Sequence, residues 1–322
     1  MRPDATRVAS GAQDDESEAC PVTGWVSREP IVVGRPTPRF EPKQVAANYR
    51  RNPYRPDTLL DGWATGEFSV RGASVRGYLH RHNGAPRQDD FSISARSDGR
   101  QIIATIADGV SQATQSHIGS TTAVRYATQW LEKKLSESPD TIDWKSMVES
   151  TAWALVQQAQ AIDPACDNAE LAEEMLATTL VCAVVDARDE GKFAAEIVTV
   201  GDSSAWQLTS SGYTRLVGGK AEGDGGVSSS AVCGLPRVPR DVQVTQAVLS
   251  ADDVLLLGTD GFGDPLGGGD GAVGRLFAEV LCPGPPSLTE FGHALDFSRE
   301  TFDDDRTLVA VWRRPAGAGP RS

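Results

Sequence analysis

The chain has 322 residues and is 39% hydrophobic, enough for one large domain with an appended segment or for two smaller domains. Its formal charge is −13, from 31 Lys+Arg against 44 Asp+Glu. Such a surface repels nucleic-acid phosphates and anionic membranes, so neither is an expected partner.

Cys20, Cys166, Cys182, Cys233 and Cys282 are odd in number, widely spaced and free of any CxxC, which argues against a disulfide framework and a structural zinc site. No long apolar stretch opens the chain, and no apolar run approaches the length of a membrane span. A cytoplasmic protein is expected.

Residues 1–65 differ from the rest. They hold Gln13-Asp14-Asp15-Glu16-Ser17-Glu18, then Pro30, Pro36, Pro38, Pro42, Pro53 and Pro56, with few apolar residues at any period. This composition predicts a mostly extended or disordered segment. Phe40, Tyr49, Tyr54, Leu59, Leu60 and Trp63 are the exception. They form a strip that either packs on the folded domain, the favoured reading, or takes a partner. A folded domain over 66–313 and a loose tail over 314–322 complete the division.

Phe68–Arg71 and Ala73–Tyr78 suggest the first strand or strands. Phe91–Ala95 alternates, Ser97-Asp98-Gly99 reads as a hairpin turn, and Gln101–Ala107 is a buried strand closing on Asp108-Gly109. Antiparallel pairing around that turn brings Asp89 and Asp108 to one end of the sheet. A helix follows on Ile118, Thr122, Tyr126, Ala127 and Trp130, with Leu131 beside them. Further helices are predicted over 144–161 and 169–176.

The period then changes to two. Strands are expected over 178–185 and 192–200, the second running into Gly201-Asp202-Ser203, with a hairpin turning at Ser211-Gly212. Residues 218–230 are Gly- and Ser-rich and predict a mobile loop. Strands over 242–249 and 254–257, helices over 272–281 and 288–298, and a closing strand over 307–312 finish the domain. Strands, then helices, then strands again fit antiparallel sheets under a helical layer. No Walker A motif or dinucleotide fingerprint is present.

Two β-type runs end alike, in Asp108-Gly109 and Asp260-Gly261. Asp-Gly is also a common turn pair, so each alone is equally an ordinary strand exit. Together with Asp89, Asp202 and Asp304, however, five acidic positions fall at predicted strand ends. Bare carboxylates gathered there would repel one another, and divalent cations remove that cost. Oxygen-only ligands favour magnesium or manganese over zinc. Asp108 is the natural bridge of two ions, with Asp260 and Asp304 completing the first and the Gly109 carbonyl and water the second. Asp89 would orient water. No histidine cluster competes: His80 and His82 lie near Asp89 in sequence, and His117 and His293 stand apart.

Arg87-Gln88-Asp89-Asp90-Phe91, Ala107-Asp108-Gly109, Ala177-Thr178-Thr179-Leu180, Val200-Gly201-Asp202-Ser203, Gly258-Thr259-Asp260-Gly261 and Asp304-Asp305-Arg306-Thr307 occur in this order. Together they resemble the metal-dependent protein phosphatases of the PP2C type, over about residues 66–313. Gly77-Tyr78-Leu79-His80-Arg81, Gly84-Ala85-Pro86-Arg87-Gln88-Asp89, Asp108-Gly109-Val110-Ser111 and Ser116-His117-Ile118-Gly119 resemble a bacterial subgroup.

The resemblance implies an α+β fold, a four-layer α-β-β-α sandwich with two packed antiparallel sheets. It implies hydrolysis of phosphoserine and phosphothreonine in proteins by direct attack of a metal-bridged water or hydroxide, using two Mg²⁺ or Mn²⁺ ions. Asp108, Asp260 and Asp304 match the direct ligands, Asp89 matches the residue holding metal-bound water, and Asp202 with Asp260 matches a third, weaker site. Phosphoprotein substrates and a cognate Ser/Thr kinase are the implied partners, and the chain is expected to act as a monomer.

Three positions depart from the pattern. Gln88 stands where many members carry glutamate. Gly84 stands where many carry the arginine that clamps phosphate, leaving Arg81 as the chosen substitute, with Arg87 as the alternative and His80 as a helper. Val110 stands where some carry histidine, which leaves metal-bound water or His117 to protonate the leaving group. A catalytically weak regulatory or phosphate-sensing module is the alternative function, and hydrolysis of small phosphoesters is a third. His80 is balanced between a structural and an active-site role, His117 reads as a cap or core group, His293 as structural, and Trp206 and Trp312 as core.

Overall fold

The structure is a computed structural model and describes residues 31–37, 56–138, 141–188, 191–219 and 234–315. The expectations for the acidic N-terminal run, for Phe40, Tyr49 and Tyr54, for the Gly/Ser-rich stretch from 220, and for the tail from 316 lie outside the described residues.

Two antiparallel sheets form the centre. One runs β1-β2-β11-β10-β7-β8, from β1 (Thr58–Ala64), β2 (Phe68–Val75), β7 (Ser204–Thr209), β8 (Gly212–Val217), β10 (Val254–Gly258) and β11 (Arg306–Arg313). The other runs β3-β4-β5-β6-β9, from β3 (Asp90–Ala95), β4 (Gln101–Ala107), β5 (Leu180–Ala187), β6 (Lys192–Val200) and β9 (Val244–Ser250). All seven residues of β4 are buried, because it lies between β3 and β5 with both faces covered. The sheets close on a core of Phe68, Val70, Ile102, Ile106, Val181, Leu255 and Val309. Phe68 and Phe193 meet edge-on across it at 6.0 Å. At Gly72 a Cβ would come within 2.3 Å of the Phe91 ring, so only glycine lets the layers approach there.

Helices α2 (Ser116–Glu137), α3 (Trp144–Ile162) and α4 (Ala169–Leu176) cover the five-stranded sheet. Helices α5 (Asp260–Leu266), α6 (Ala272–Leu281) and α7 (Leu288–Leu295) cover the six-stranded one, where Trp206, Phe262, Phe277 and Phe297 pack edge to face in series. Trp206 and Trp312 are core residues, as expected. The result is an α-β-β-α sandwich.

Several elements differ from the sequence expectation. The sheet begins at Thr58, not near residue 66, with β1 paired along β2 from Thr58↔Val75 to Ala64↔Ser69. Leu59, Leu60 and Trp63 are therefore strand residues. They show no clean alternation because β1 is a half-exposed edge strand. The strand over residues 68–75 stops short of Tyr78, which opens a short helix α1 (Tyr78–Asn83). The buried stripe of α2 is Ile118, Ala123, Val124, Ala127, Leu131 and Leu135, whereas Thr122, Tyr126 and Trp130 are only half-buried. Small alanines let that helix lie close to the sheet. Helix α5 starts at Asp260 itself, which the run Gly261-Phe262-Gly263-Asp264-Pro265 disguises as turn chemistry. Cys166, Cys182 and Cys282 are free thiols.

Candidate metal centre

The Asp90↔Ala107 pair ends the β3–β4 ladder, so Asp89 and Asp108 leave the five-stranded sheet side by side. In the other sheet Gly258 pairs with Leu308, and Thr259 exchanges hydrogen bonds with Thr307. Asp260 and the Asp304–Asp305 pair thus leave their sheet together. Both sheets end on one side, and Asp89, Asp108, Asp260, Asp304 and Asp305 meet there.

Their electrostatics report the crowding. Burial, then the charges of Asp89, Asp260 and Asp304 and a hydrogen bond with Asp260, raise the Asp108 carboxyl well above the usual carboxylate range. Burial, then Asp305, raises Asp89 in the same way. Asp304, at the exposed mouth, is also raised, by desolvation and then Asp305.

The backbone of Asp108 is held firmly. Its N–H donates to Thr179 Oγ1 at 3.0 Å, and its carbonyl accepts from Thr179 N at 2.7 Å and Thr178 Oγ1 at 2.9 Å. Thr179 also bonds Ser203 at 2.8 Å, which brings the Gly201-Asp202-Ser203 turn against the same strand exit. Asp202 is half-buried there, and its carbonyl accepts from Gly219 N and Ser204 Oγ. The loop after Gly109 is pinned to the end of α4 by Val110 N to Ala177 O at 2.9 Å and Gln115 N to Met175 O at 2.8 Å.

Asp305, which sequence reasoning passed over, organises the other half. Its Oδ1 accepts from Gly77 N at 2.6 Å, its Oδ2 accepts from Gln88 N at 2.5 Å, and His80 Nδ1 lies 2.9 Å from Oδ2. Burial alone would raise its carboxyl, but the His80 charge and these donors outweigh it and hold it below the usual range. Burial alone would lower His80, but Asp305, with Asp304 and Asp89 behind it, raises the imidazole to about 9. The acidic triplet 303–305 was the available signal. It could not say which carboxylate turns inward.

Glycines bring these strands into contact. A Cβ on Gly261 would lie 1.9 Å from the Asp305 carbonyl oxygen, and one on Gly77 2.2 Å from the Asp304 carbonyl carbon. Gly109 is confined to a lesser degree, a Cβ there meeting Ser116 Cβ at 2.8 Å and Gln88 O at 2.9 Å. Gly261→Ala therefore forces backbone apart. We expect a loss at or above the upper end of the ~1–3 kcal/mol typical of overpacking, read as a lower urea midpoint at unchanged slope.

The residues fit hard divalent cations. The converging donors are oxygens, and two of them, Asp89 Oδ1 and Gln88 Oε1, are buried without a hydrogen-bond partner. The other Asp89 oxygen accepts from Thr259 Oγ1 at 2.8 Å, so the free one is held in place. Among the described residues, one group of metal-capable side chains brings its ligand atoms within 4.8 Å of one another: His80, Asp304 and Asp305. Asp305 commits both oxygens to the contacts above, so Asp304 is the member left to face an ion.

The remaining predicted positions fall outside this cluster. Arg87 is buried, bonding Ser74 Oγ, the Asp89 carbonyl and Pro56 O, which removes it as a phosphate clamp and makes it a scaffold. Arg81 bonds Asp296 at 3.1 Å and lies over the Tyr78 ring. Gly84 ends α1 at φ 74°, a conformation that resists any side chain, including arginine. His117 is buried at the start of α2, and burial lowers it to about 4. Its burial fits the expected reading of a cap or core group. His293 is half-buried on α7, beside a cavity away from the carboxylates.

This arrangement defines a metal-dependent phosphatase. Residues 76–287, more than half of the sequence, match the family model described as protein phosphatase 2C. The chain belongs to that family. A bacterial serine phosphatase aligns at 16% identity over 76% of this chain and 98% of its own, with a TM-score of 0.54. A phosphatase from a pathogenic strain of Toxoplasma gondii aligns at 15% over 80% and 95%, also at 0.54. The PP2C phosphatase domain of SpoIIE from Bacillus subtilis aligns at 16% over 79% and 71%, at 0.51. At these identities the likeness is one of fold. No curated protein matches the sequence significantly. No helix among the described residues is long and apolar enough to cross a membrane.

Proposed function

We propose that the protein hydrolyses phosphoserine and phosphothreonine in protein substrates in one step, with Mg²⁺ or Mn²⁺ held between the two sheet ends. The observation that carries this reading is the meeting of Asp89, Asp108, Asp260 and Asp304 with buried, unpartnered oxygens on Asp89 and Gln88. Asp108, Asp260, Asp304 and the Gly109 carbonyl are the groups that would hold the ions, with Asp108 shared between them. Asp202 with Asp260 would take a third, weaker ion. When bound, such ions neutralise the phosphoryl group and acidify water for in-line attack. Asp89, with one oxygen held by Thr259, offers the other to orient that water. His80 stays protonated near neutral pH against Asp305 and shapes the loop carrying Asp304. Arg81 is the proposed phosphate clamp, and it would exchange Asp296 for the substrate. Phosphoproteins made by a Ser/Thr kinase are the proposed substrates, and the chain is proposed to act as a monomer in the cytoplasm.

The test is Mn²⁺- and Mg²⁺-dependent phosphate release from phosphothreonine peptides and from a small aryl phosphate, with Asp108→Ala alongside. Unchanged release by that variant would sink the mechanism, and release from the aryl phosphate alone would favour a small-ester hydrolase. A phosphate-sensing module with little turnover is the second reading. It draws on Arg81 and Arg87 both being engaged by protein groups. Saturable, metal-dependent phosphate binding without turnover would support it.

Gln88→Glu adds a carboxylate at a buried oxygen without a donor. We expect metal titration to give an apparent Kd for the weaker ion lower by about tenfold, the order of outer-shell effects.

A further inference from the structure

The molecule has a second concave site, remote from the carboxylates. It is an open cavity of about 1080 Å³ between the α6–α7 connection and the far ends of β2 and β11. Those strands carry Gly77 and Asp304–Asp305 at their other ends, so cavity and metal centre lie at opposite ends of the same two strands.

Its lining is unusual for a chain of charge −13. Arg71, Arg313 and Arg314 face it beside Trp312 and Pro286, against one acidic side chain, Glu290. Arg313 is balanced by Glu67. Arg71 is not balanced: its Nε donates to the Pro286 carbonyl at 2.7 Å and its Nη1 to the Val70 carbonyl at 2.9 Å, and no carboxylate among the described residues pairs with it. Burial without an acidic partner holds its guanidinium below the usual arginine value. The site offers a cation in search of a carboxylate beside an apolar wall.

The chain itself enters here. Ile31 lines the cavity and is fixed by backbone bonds on either side, Ser298 N to Ile31 O at 2.7 Å and Val33 N to Ser298 O at 2.9 Å. Residues 1–30 therefore lead directly to the rim. They contain Asp14, Asp15, Glu16 and Glu18, then Val22, Trp25 and Val26. Trp25 stands six positions before Ile31, within an extended reach of roughly 20 Å, and Glu18 thirteen before, within roughly 45 Å. Two other segments outside the described residues have the wrong charge. Residues 38–55 carry Arg39, Lys43, Arg50, Arg51 and Arg55 against Glu41, and the tail from 316 carries only Arg321.

We propose that this cavity is a docking site for the chain's own N-terminal segment, with Trp25 on the apolar wall and the Asp14–Glu18 carboxylates on the arginines. Tethering gives the segment an effective concentration of about millimolar, so a weak individual contact suffices. An acidic peptide with an aromatic anchor is then the chemistry that would displace it.

The test uses the full chain with a photo-crosslinking phenylalanine analogue, p-benzoyl-phenylalanine, at position 25. After irradiation, mass spectrometry should map the cross-link to residues 280–294 or 312–315 within a monomer. Arg71→Glu, and separately Asp14→Asn with Asp15→Asn, should each lower the yield at least about threefold, as should raised salt. Cross-links elsewhere in the fold, none at all, or a product of twice the monomer mass would overturn the proposal, the last assigning the cavity to a second copy. Phosphatase activity is not part of the readout, so the result stands apart from the reading of the metal centre.

Discussion

Asp108→Asn is expected to cut metal-dependent phosphate release by at least about 10³-fold, or ~4 kcal/mol of barrier, while making the metal-free protein harder to unfold. The two effects share one cause. Asp108 is pressed by burial and by Asp89, Asp260 and Asp304, and its carboxyl is raised in response. A group raised on folding contributes stability below its unfolded value and loses it as pH rises through the folded one. In chelator the wild-type protein should therefore lose stability as pH climbs above the ordinary carboxylate range. The asparagine variant should lose less, because one repelling charge is gone. Near pH 7 its melting temperature should exceed that of wild type by about 2–4 °C for each kcal/mol of repulsion removed. Adding Mn²⁺ should reverse the order, raising wild type and leaving the variant nearly unmoved. Melting curves with and without chelator give the comparison, and a variant less stable than wild type in chelator would contradict it.

Asp305→Ala should have the largest effect on folding, about 3–5 kcal/mol lost, because removing one partner leaves the others buried and unsatisfied. The deserted groups are the N–H donors of Gly77 and Gln88 and the His80 imidazole. His80 is raised to about 9, so its contribution is complete below its ordinary 6.5 and fades as pH climbs through 9. Asp305 is lowered, so its contribution is complete above its ordinary 3.8 and is lost as pH falls through the folded value. The penalty of the variant in chelator should thus be greatest between about 4 and 6.5 and shrink on either side. Denaturant midpoints across pH measure this. A penalty independent of pH would place the role of Asp305 in packing alone. Asp305→Asn, which keeps an acceptor for one backbone donor, should recover part of the loss without restoring the His80 shift.

Much of the site was legible because it follows local rules. A fully buried strand closing on Asp108-Gly109 stands out from its neighbours, and the hairpin at Ser97-Asp98-Gly99 places Asp89 opposite by counting alone. The order of the six motif pieces supplied the family, and the two-sheet sandwich came with it. Other features were hidden by ambiguity at short range. Asp304 and Asp305 are identical residues side by side, yet one stands at the open mouth and the other is buried against Gly77 and Gln88. Helix α5 begins at Asp260 in a sequence whose glycines and proline read as a turn. Arg87 stood second to Arg81 as a phosphate candidate, and it is enclosed between β2 and the Asp89 backbone.

Taken alone, the residue order determined the chemistry: which carboxylates close which strands, that oxygen ligands call for hard cations, and where the family pattern is broken at Gly84, Gln88 and Val110. Those facts depend on residue type and on pairing within a few positions. The folded arrangement determined the assignments. It turned Asp305 inward, engaged Arg81 with Asp296, and placed an arginine-lined cavity at the far end of β2 and β11. Each of these depends on contacts between segments about two hundred positions apart, where burial and unlike neighbours give the same residue type different charge and different work.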